Sequence, residues 1–387
     1  MKGAGPEAIV VGGGLAGRAA AIAVAKAGIE TLHLAPAGPP DRRTSALMQP
    51  SVHLLQALGI IGEPPDFGEP LRQIRIIDAT ARLLRAPETL FDSAEAGLDA
   101  FGWNFANVAL AEHAERVAAS LPNLTTRAEA AREIEIGETG ARLALAGGDV
   151  VEAPLLVGAD GKKSAVRAAA GIAMREHAFE EAALVADLEL ARPLMGQSVE
   201  FHYEHGPFTL VPAGGRRANL VWIDRREVLD AARDGDPEAL AALFAAKSQH
   251  LFGPVGLAGP AFVFPLSTLT VATAGSKGAV LVGEAAHAFP PIGAQGLNLG
   301  LRDVADLAAV LAGVDRAQEG WARRVSADYA RRRAGDLLRT GAVVDALFRS
   351  LLGEMLPAQA LRAGGLWALK LLPPLRRQAF GLGIGGR

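Results

Sequence analysis

The 387-residue chain contains no cysteine. That excludes disulfides, thiolate catalysis, cysteine–metal sites and the redox-disulfide reductases. It has little charge excess of either sign: 39 basic residues stand against 42 acidic ones, a formal net charge of −3. Nothing in that balance suggests nucleic acid as a general partner. No run approaches the roughly 18 to 20 apolar residues of a membrane span. A strand begins by about Glu7, which leaves no room for a signal peptide. These absences predict a cytoplasmic protein, soluble or peripheral on a membrane. The eight histidines show no metal-ligand spacing, so no metal is expected.

Hydrophobic residues make up 50% of the chain, enough for a sizeable core and for two or more domain-sized units. The first ordered stretch reads as βαβ. Ala8–Val11 is a buried strand, Gly12, Gly14 and Gly17 form Gly-x-Gly-x-x-Gly, a helix runs to about Ala27 with Gly28 at its C-cap, and Thr31–Leu34 is a second strand. In such a unit Gly12 makes the tight turn, Gly14 lets a pyrophosphate approach and Gly17 lets helix and strand pack. A loop whose glycines only serve packing is the alternative. The acid that should end the second strand and hold the adenosine ribose is absent, because the strand runs into Ala35. Arg42 and Arg43 follow in a stretch that leads to a helix ending at Leu58. They suit a phosphate, or they form a solvated basic pair.

Residues 64–70 read as a loop, 73–79 and 81–86 as a short hairpin, and 107–121 as a helix. Strands are expected near 132–136 and 141–145. Leu155–Gly158 is a buried strand ending in Asp160-Gly161, with Ser164 and Arg167 on the helix that follows. A carboxylate there can order sugar hydroxyls or loop amides, and an ordinary Asp-Gly turn is the alternative. From about Ala182 to Val271 strand-like runs at 183–190, 198–203, 208–212 and 218–223 are interrupted by one helix, about 237–252. That pattern predicts an antiparallel sheet inserted before the chain returns to the dinucleotide fold at Ala279.

The stretch Gly283–Asn298, after the apolar run Ala279–Val282 and before a helix to Leu311, organises the rest. Its glycines allow close backbone approach to a flat ligand. The N–H groups opening the helix near Gly296-Leu297 offer a positive dipole end to an electron-rich group such as a reduced flavin. Glu284 can accept hydrogen bonds from sugar or ribityl hydroxyls. Downstream, helices are expected at 318–333, 336–352 and 358–371. The segment 361–380 reads as a helix packing on its own domain, with an interfacial anchor as the alternative. The tail 381–386 is expected to be a flexible end.

Together the three glycine-bearing stretches resemble the flavin-dependent aromatic hydroxylases, the class A flavoprotein monooxygenases. Within that class the residues around His287, Pro291, Gln295–Asp303, Asp41 to Leu47 and the closing Leu372–Arg377 are similar to signatures of the ubiquinone-biosynthesis hydroxylases. The resemblance implies FAD as cofactor, with Gly12, Gly14, Leu15 and Ala16 at its pyrophosphate. It implies Arg43 near the phosphates or ribityl chain, and Asp160 and Gly161 near the adenosine end. Pro291, Gly293, Gly296 and Leu297 would line the isoalloxazine, with Leu297 and Asn298 giving amides to its N1/O2 edge. Glu284 stands where the family usually has Asp, and His287 reads as structural.

The expected fold is α/β. A Rossmann-like FAD-binding domain (1–70, 100–180 and 275–315) would carry an inserted antiparallel β-sheet substrate domain (71–99 and 181–274) and a C-terminal helical region (316–387). The expected reaction uses NAD(P)H and O2 to hydroxylate an aromatic ring, in this family a polyprenyl phenol or benzoquinol. With one dinucleotide fingerprint, the nicotinamide would bind without a domain of its own. Such chemistry belongs to the cofactor and needs no triad or paired carboxylates. His202, Tyr203 and His205 are the titratable residues of the substrate domain, and the sequence does not say which of them faces the ring. Two alternatives stay open: an isoprenoid reductase of the same fold, and a non-catalytic member of a biosynthetic assembly.

Overall fold

The computed structural model describes residues 5–81, 85–291 and 294–352, with Gly364, Gly365 and Trp367. The chain opens with Ala8–Val11 (β1), Leu15–Lys26 (α1) and Thr31–Leu34 (β2). Thr44–Met48 (β3) and Gln49–Leu58 (α2) follow, then Gly68–Leu71 (β4), Gln73–Asp78 (β5), Thr89–Asp92 (β6) and Gly102–Ala106 (β7). Asn107–Ser120 (α3) leads to Leu124–Arg127 (β8), a meander of Ala131–Ile136 (β9), Ala141–Leu145 (β10) and Val150–Ala153 (β11), and Leu155–Gly158 (β12). After the short Ala165–Ala169 (α4) come Met174–Leu190 (β13), Gln197–Tyr203 (β14), Gly206–Pro212 (β15) and Arg217–Arg225 (β16). Arg226–Asp234 (α5), Pro237–Lys247 (α6), Val255–Leu257 (β17) and Phe262–Val271 (β18) complete that region. The chain then runs through Gly275–Ser276 (β19), Ala279–Leu281 (β20), His287–Ala288 (β21), Gln295–Leu311 (α7) and Trp321–Leu352 (α8).

A six-stranded sheet has the order β19-β20-β12-β1-β2-β8, parallel except for the β19–β20 pair. Strands β1, β2, β12 and β20 are buried at every position, as short apolar runs must be when both sheet faces are covered. One face packs on α1, α7 and α8 through Val10, Ala20, Val24, Val304, Leu307 and Tyr329. The other packs on α4 and the β9–β11 meander through Ile9, Leu34, Leu143 and Val166.

A nine-stranded sheet, mostly antiparallel, has β21-β18-β13-β16-β15-β14-β5-β6 in order, with β17 also paired to β13. The β14–β5 pair is parallel. One face of this sheet buries Phe201, Phe208 and Trp222 against Phe244 and Leu240 of α6. Each fully buried ring contributes about 2–3 kcal/mol. Lys247 lies over both the Tyr203 and Trp222 rings, 4.3 and 4.4 Å from their centroids. A three-stranded sheet, β3-β7-β4, lies against the opposite face, joined there by Thr44 and Asn104.

Several expectations change. The partner of β5 is β6, at 89–92 rather than 81–86. Residues 44–48 form a strand ahead of α2, and 68–71, expected as loop, pair with β7. Two helices, not one, follow β16, because Gly235 ends the first and Asp236 caps the second by accepting from Ala239 N–H. The break expected near 334–335 does not occur, and α8 is continuous. Gly335 weakens a helix by only about 1 kcal/mol, and the ion pairs of Arg333 and Asp336 hold both sides of it to the neighbouring helix. The expected helix at 358–371, the anchor reading of 361–380 and the tail lie outside the described residues, apart from Gly364, Gly365 and Trp367.

Candidate active site

Three loops meet at the C-terminal ends of the parallel strands. At Gly12 the backbone has φ +133, and a Cβ there would stand 2.1 Å from the Ala159 carbonyl oxygen, so only glycine lets the β1 and β12 loops touch. A Cβ on Gly17 would meet the Gly12 oxygen at the same distance. Gly14 differs: it is exposed and nothing lies within 4 Å of where its Cβ would be. It is also the N-cap of α1 and gives no side-chain cap, so the N–H groups opening at Leu15 and Ala16 face an approachable surface.

The loop carbonyls point the other way and are held. Arg18 Nε donates to Gly13 O at 2.8 Å while its guanidinium pairs with Glu115. His33 Nε2 lies 2.9 Å from Gly12 O. Burial pushes the His33 imidazole below its ordinary value despite that bond, so the ring is neutral and the carbonyl contact assigns the proton to Nε2.

Asp160 turns back on its own segment. One carboxylate oxygen accepts from Ser164 Oγ at 2.5 Å, and the other accepts from the Ala165 and Val166 N–H groups. Ser164 in turn caps α4 by accepting from Arg167 N–H. Gly161, at φ +77, has open space where a side chain would be. The buried Arg167 donates to Lys162 O and, across the site, to Ala285 O at 2.8 Å, tying this turn to the third loop.

That third loop starts at Gly283. Asp303 of α7 accepts from Gly283 N–H at 2.8 Å and from His287 Nε2 at 2.6 Å on the same oxygen. Its other oxygen pairs with Arg333 of α8 at 2.6 Å, and Arg333, fully buried, also bonds Asp306 and Asp336. Burial alone would lower the Arg333 pKa, but Asp303 leads a set of anions that raises it. Tyr329, fully buried, donates to Leu281 O. His287 is thus structural in its contacts, as expected, and stacks near Phe289.

Glu284 and Pro291 are exposed, and so is Gly296, which has open space at its Cβ position. Leu297 is half-buried. Gly293 lies outside the described residues. Helix α7 begins after Ala294, which sits in the left-handed region at φ 54 and gives no side-chain cap. The Asn298 side chain is committed elsewhere: it accepts from Met48 N–H and Ser51 Oγ and donates to Ala46 O and Ala294 O. It locks the start of α7 to the β3–α2 junction and leaves only its backbone for a ligand. A Cβ on Gly283 would lie 3.3 Å from Ala16 Cβ, and one on Gly300 would lie 3.2 Å from Gly283 Cα. The first and third loops are therefore in direct contact.

Arg43 immediately precedes β3. It pairs with Asp41 through two bonds of 2.7 and 2.9 Å, and Asn107 also donates to Asp41. Burial pushes the Asp41 carboxyl up, but these donors outweigh it and hold the pKa below its usual value. The bond to Asp41 raises Arg43, and Glu284 adds to this. The guanidinium also lies 6.0 Å from the Phe264 ring centroid, on the nine-stranded sheet.

The face of that sheet turned to β3 and β7 is lined by the cross-strand row Phe262, Val185, Val221 and Thr209, none of them fully buried. His202 sits on the same face beside Glu200, 3.3 Å away. Tyr203 points into the opposite core and donates to Lys247 O. His205 lies in the β14–β15 turn.

Sequence reasoning overlooked Arg18, His33, Tyr329, Arg333 and the polar pair Asp187–Asn219. Some of these left a signal. His33 is a titratable residue inside a buried strand, and Asp303/Asp306 and Arg333/Asp336 are i,i+3 charges on otherwise apolar helix faces.

A family model described as "FAD binding domain" matches residues 6–337. Ubiquinone hydroxylase UbiL of Rhodospirillum rubrum is 30% identical over 384 residues, which cover 96% of this chain and 87% of that protein. The 3-demethoxyubiquinol 3-hydroxylase of Escherichia coli is 28% identical over 396 residues, covering 98% of each. Among solved structures, p-nitrophenol 4-monooxygenase PnpA of Pseudomonas putida shares the fold, with a TM-score of 0.78 over 99% of both chains at 17% identity. The chain belongs to the FAD-binding family, as a class A flavin-dependent aromatic monooxygenase of the ubiquinone-biosynthesis hydroxylase type.

Proposed function

We propose that the protein hydroxylates the ring of a polyprenyl phenol or benzoquinol intermediate of ubiquinone biosynthesis, with NAD(P)H as electron donor and O2 as oxygen source. The observation that carries this is that the first turn of α1 lies against Gly283 of the third loop and Gly300 of α7, while both helices begin without a side-chain cap. The site fits FAD: Gly14, Gly161 and Gly296 each leave open surface where a side chain would stand, in loops that otherwise touch. When bound, FAD supplies the redox chemistry that activates O2 for transfer of one oxygen atom to an electron-rich ring.

The protein's part is to bind, orient and exclude water. The N–H groups at Leu15 and Ala16, with Gly12 and Gly14, take the pyrophosphate. Gly161 and the turn held by Asp160 flank the adenosine end. Arg43 and Glu284 meet the phosphates or ribityl hydroxyls. Pro291, Gly293, Gly296 and Leu297 line the ring system, and the N–H groups of Leu297 and Asn298 stabilise negative charge on its N1/O2 edge. In this reading residues 1–70, 100–180 and 275–315 serve FAD and 71–99 and 181–274 serve the substrate. The region 316–387 offers a peripheral contact to a membrane or a biosynthetic complex.

The test is an absorption spectrum of the purified protein, followed by NAD(P)H oxidation with a substituted prenyl phenol. Flavin bands released on denaturation, and hydroxylated product formed with O2 consumption, are the expected results. A protein that takes up no FAD sinks the proposal. So does oxygen consumption that no substrate couples to product.

A further inference from the structure

The sheet face beside the flavin loops carries several carboxylates, Glu189 and Glu200 among them, and one of the set, Asp187, is held by a buried amide. Asp187 of β13 is paired across the ladder with Asn219 of β16. Asn219 is buried, and its amide has a single possible orientation. Its oxygen accepts from Thr44 Oγ1 at 2.7 Å and from Asn104 Nδ2 at 2.8 Å, which fills both lone pairs. Its NH2 therefore points to Asp187 and donates to Oδ1 at 2.6 Å. Asn104 is itself anchored by a second bond to Pro212 O.

This chain is built from two sheets: Thr44 and Asn104 stand on β3 and β7, Asn219 and Asp187 on the larger sheet. It ends on an exposed carboxylate whose only hydrogen bond among the described residues is the one from Asn219. An exposed aspartate that served only solubility would gain nothing from a buried amide aiming it. Around it the same face carries Val185, Val221 and Phe262, with Phe262 54% exposed. Thr44 is the residue after Arg43, which faces Glu284 of the flavin loop electrostatically.

We propose that Asp187 accepts the hydrogen bond of the substrate's ring hydroxyl, and that Asn219 is the positioning residue that aims it. The inference rests on the phenolic substrate of the proposed function and assigns the residue that recognises it. An O–H···O⁻ bond is charge-assisted and roughly twice as strong as a neutral one. It draws the proton toward Oδ2 without removing it. That raises electron density at the ring carbons ortho and para to the hydroxyl, where an electrophilic oxygen attacks.

The experiment titrates the FAD-loaded protein with 2-prenylphenol and with its methyl ether, which cannot donate, reading the change in flavin absorbance. The wild type should bind the phenol about tenfold more tightly than the ether, the value of a hydrogen bond to a charged group. Asp187→Asn should keep its flavin, bring the two affinities within about twofold, and lose kcat/KM for the phenol in proportion. Equal binding of phenol and ether by the wild type overturns the proposal, as does full discrimination by the variant.

A second measurement needs no variant. Ring-fluorinated phenols should bind more tightly as they become more acidic, then more weakly once ionised, because two anions repel. Binding that favours the phenolate also overturns the proposal. A wild type that separates phenol from ether but yields no hydroxylated product supports the Asp187 contact and sinks the reaction proposed above, so the two failures are read apart.

Discussion

At the residue scale the glycines of one motif do different work, and substitution should separate them. Gly14→Val places a side chain in open space, so the chain should fold with a thermal midpoint close to that of the FAD-free wild type while losing flavin. Added FAD should then raise the midpoint of the wild type and not of the variant. Gly12→Ala meets a backbone oxygen at 2.1 Å and a left-handed φ, so it should lower stability itself. The motif's place between strand and helix was legible in the sequence. The split was not, because it depends on the Ala159 backbone, which approaches from a loop nearly 150 positions away.

His33 belongs to the same scale. Its folded pKa lies below the ordinary value, so the unfolded chain binds the proton more readily. Its contribution is fully present above about pH 6.5 and is lost as the pH falls below that toward the folded value. Melting curves from pH 7.5 to 5 should show this loss in the wild type. His33→Gln, which keeps a donor for Gly12 O and does not titrate, should flatten that limb.

At the element scale, α7 and α8 are joined by buried charge more than by pattern. Asp303, Asp306 and Asp336 face Arg333, with Arg302 and Arg332 completing the set. Arg333→Met leaves the carboxylates without their shared partner, and denaturant melts should show a loss of about 3–5 kcal/mol. Because Asp303 also holds Gly283 N–H, flavin retention should fall with it. Helical periodicity revealed α7 with its apolar face, and helix over most of the span of α8. It predicted a break near Gly335 because local propensity carries no information about ion pairs formed with residues some 30 positions earlier. The second strand of the first hairpin was misplaced for a related reason. Residues 81–86 alternate as a strand would, but Asp78, at the end of β5, accepts from Thr80 and from Ala86 N–H, side-chain bonds that hydrophobic alternation does not reveal.

At the scale of the whole molecule, the contact between the nine-stranded sheet and β3–β7 runs through few polar atoms. Asn104→Ala removes donors to Pro212 O and Asn219 Oδ1. A loss of about 1–3 kcal/mol is expected, and the proposed phenol preference should weaken because Asn219 is then free to turn. The two-part α/β architecture could be read from the switch between helix-rich and strand-rich stretches. Which face of the inserted sheet meets the flavin loops could not, since strand alternation gives two faces without naming their neighbours.

The strand order β19-β20-β12-β1-β2-β8 also governs how the chain can be made. The N-terminal strand is central, yet its sheet is completed only by residues 275–281, and Tyr329 and Ser326 of α8 then brace that last strand and its turn. A chain emerging from the ribosome therefore carries β1 and the first glycine loop through most of its synthesis before their sheet can close. Such distant pairings make folding slow, and until then the apolar edge of β12 stays open to wrong partners. Truncation before α8 should give aggregation, not a smaller folded protein.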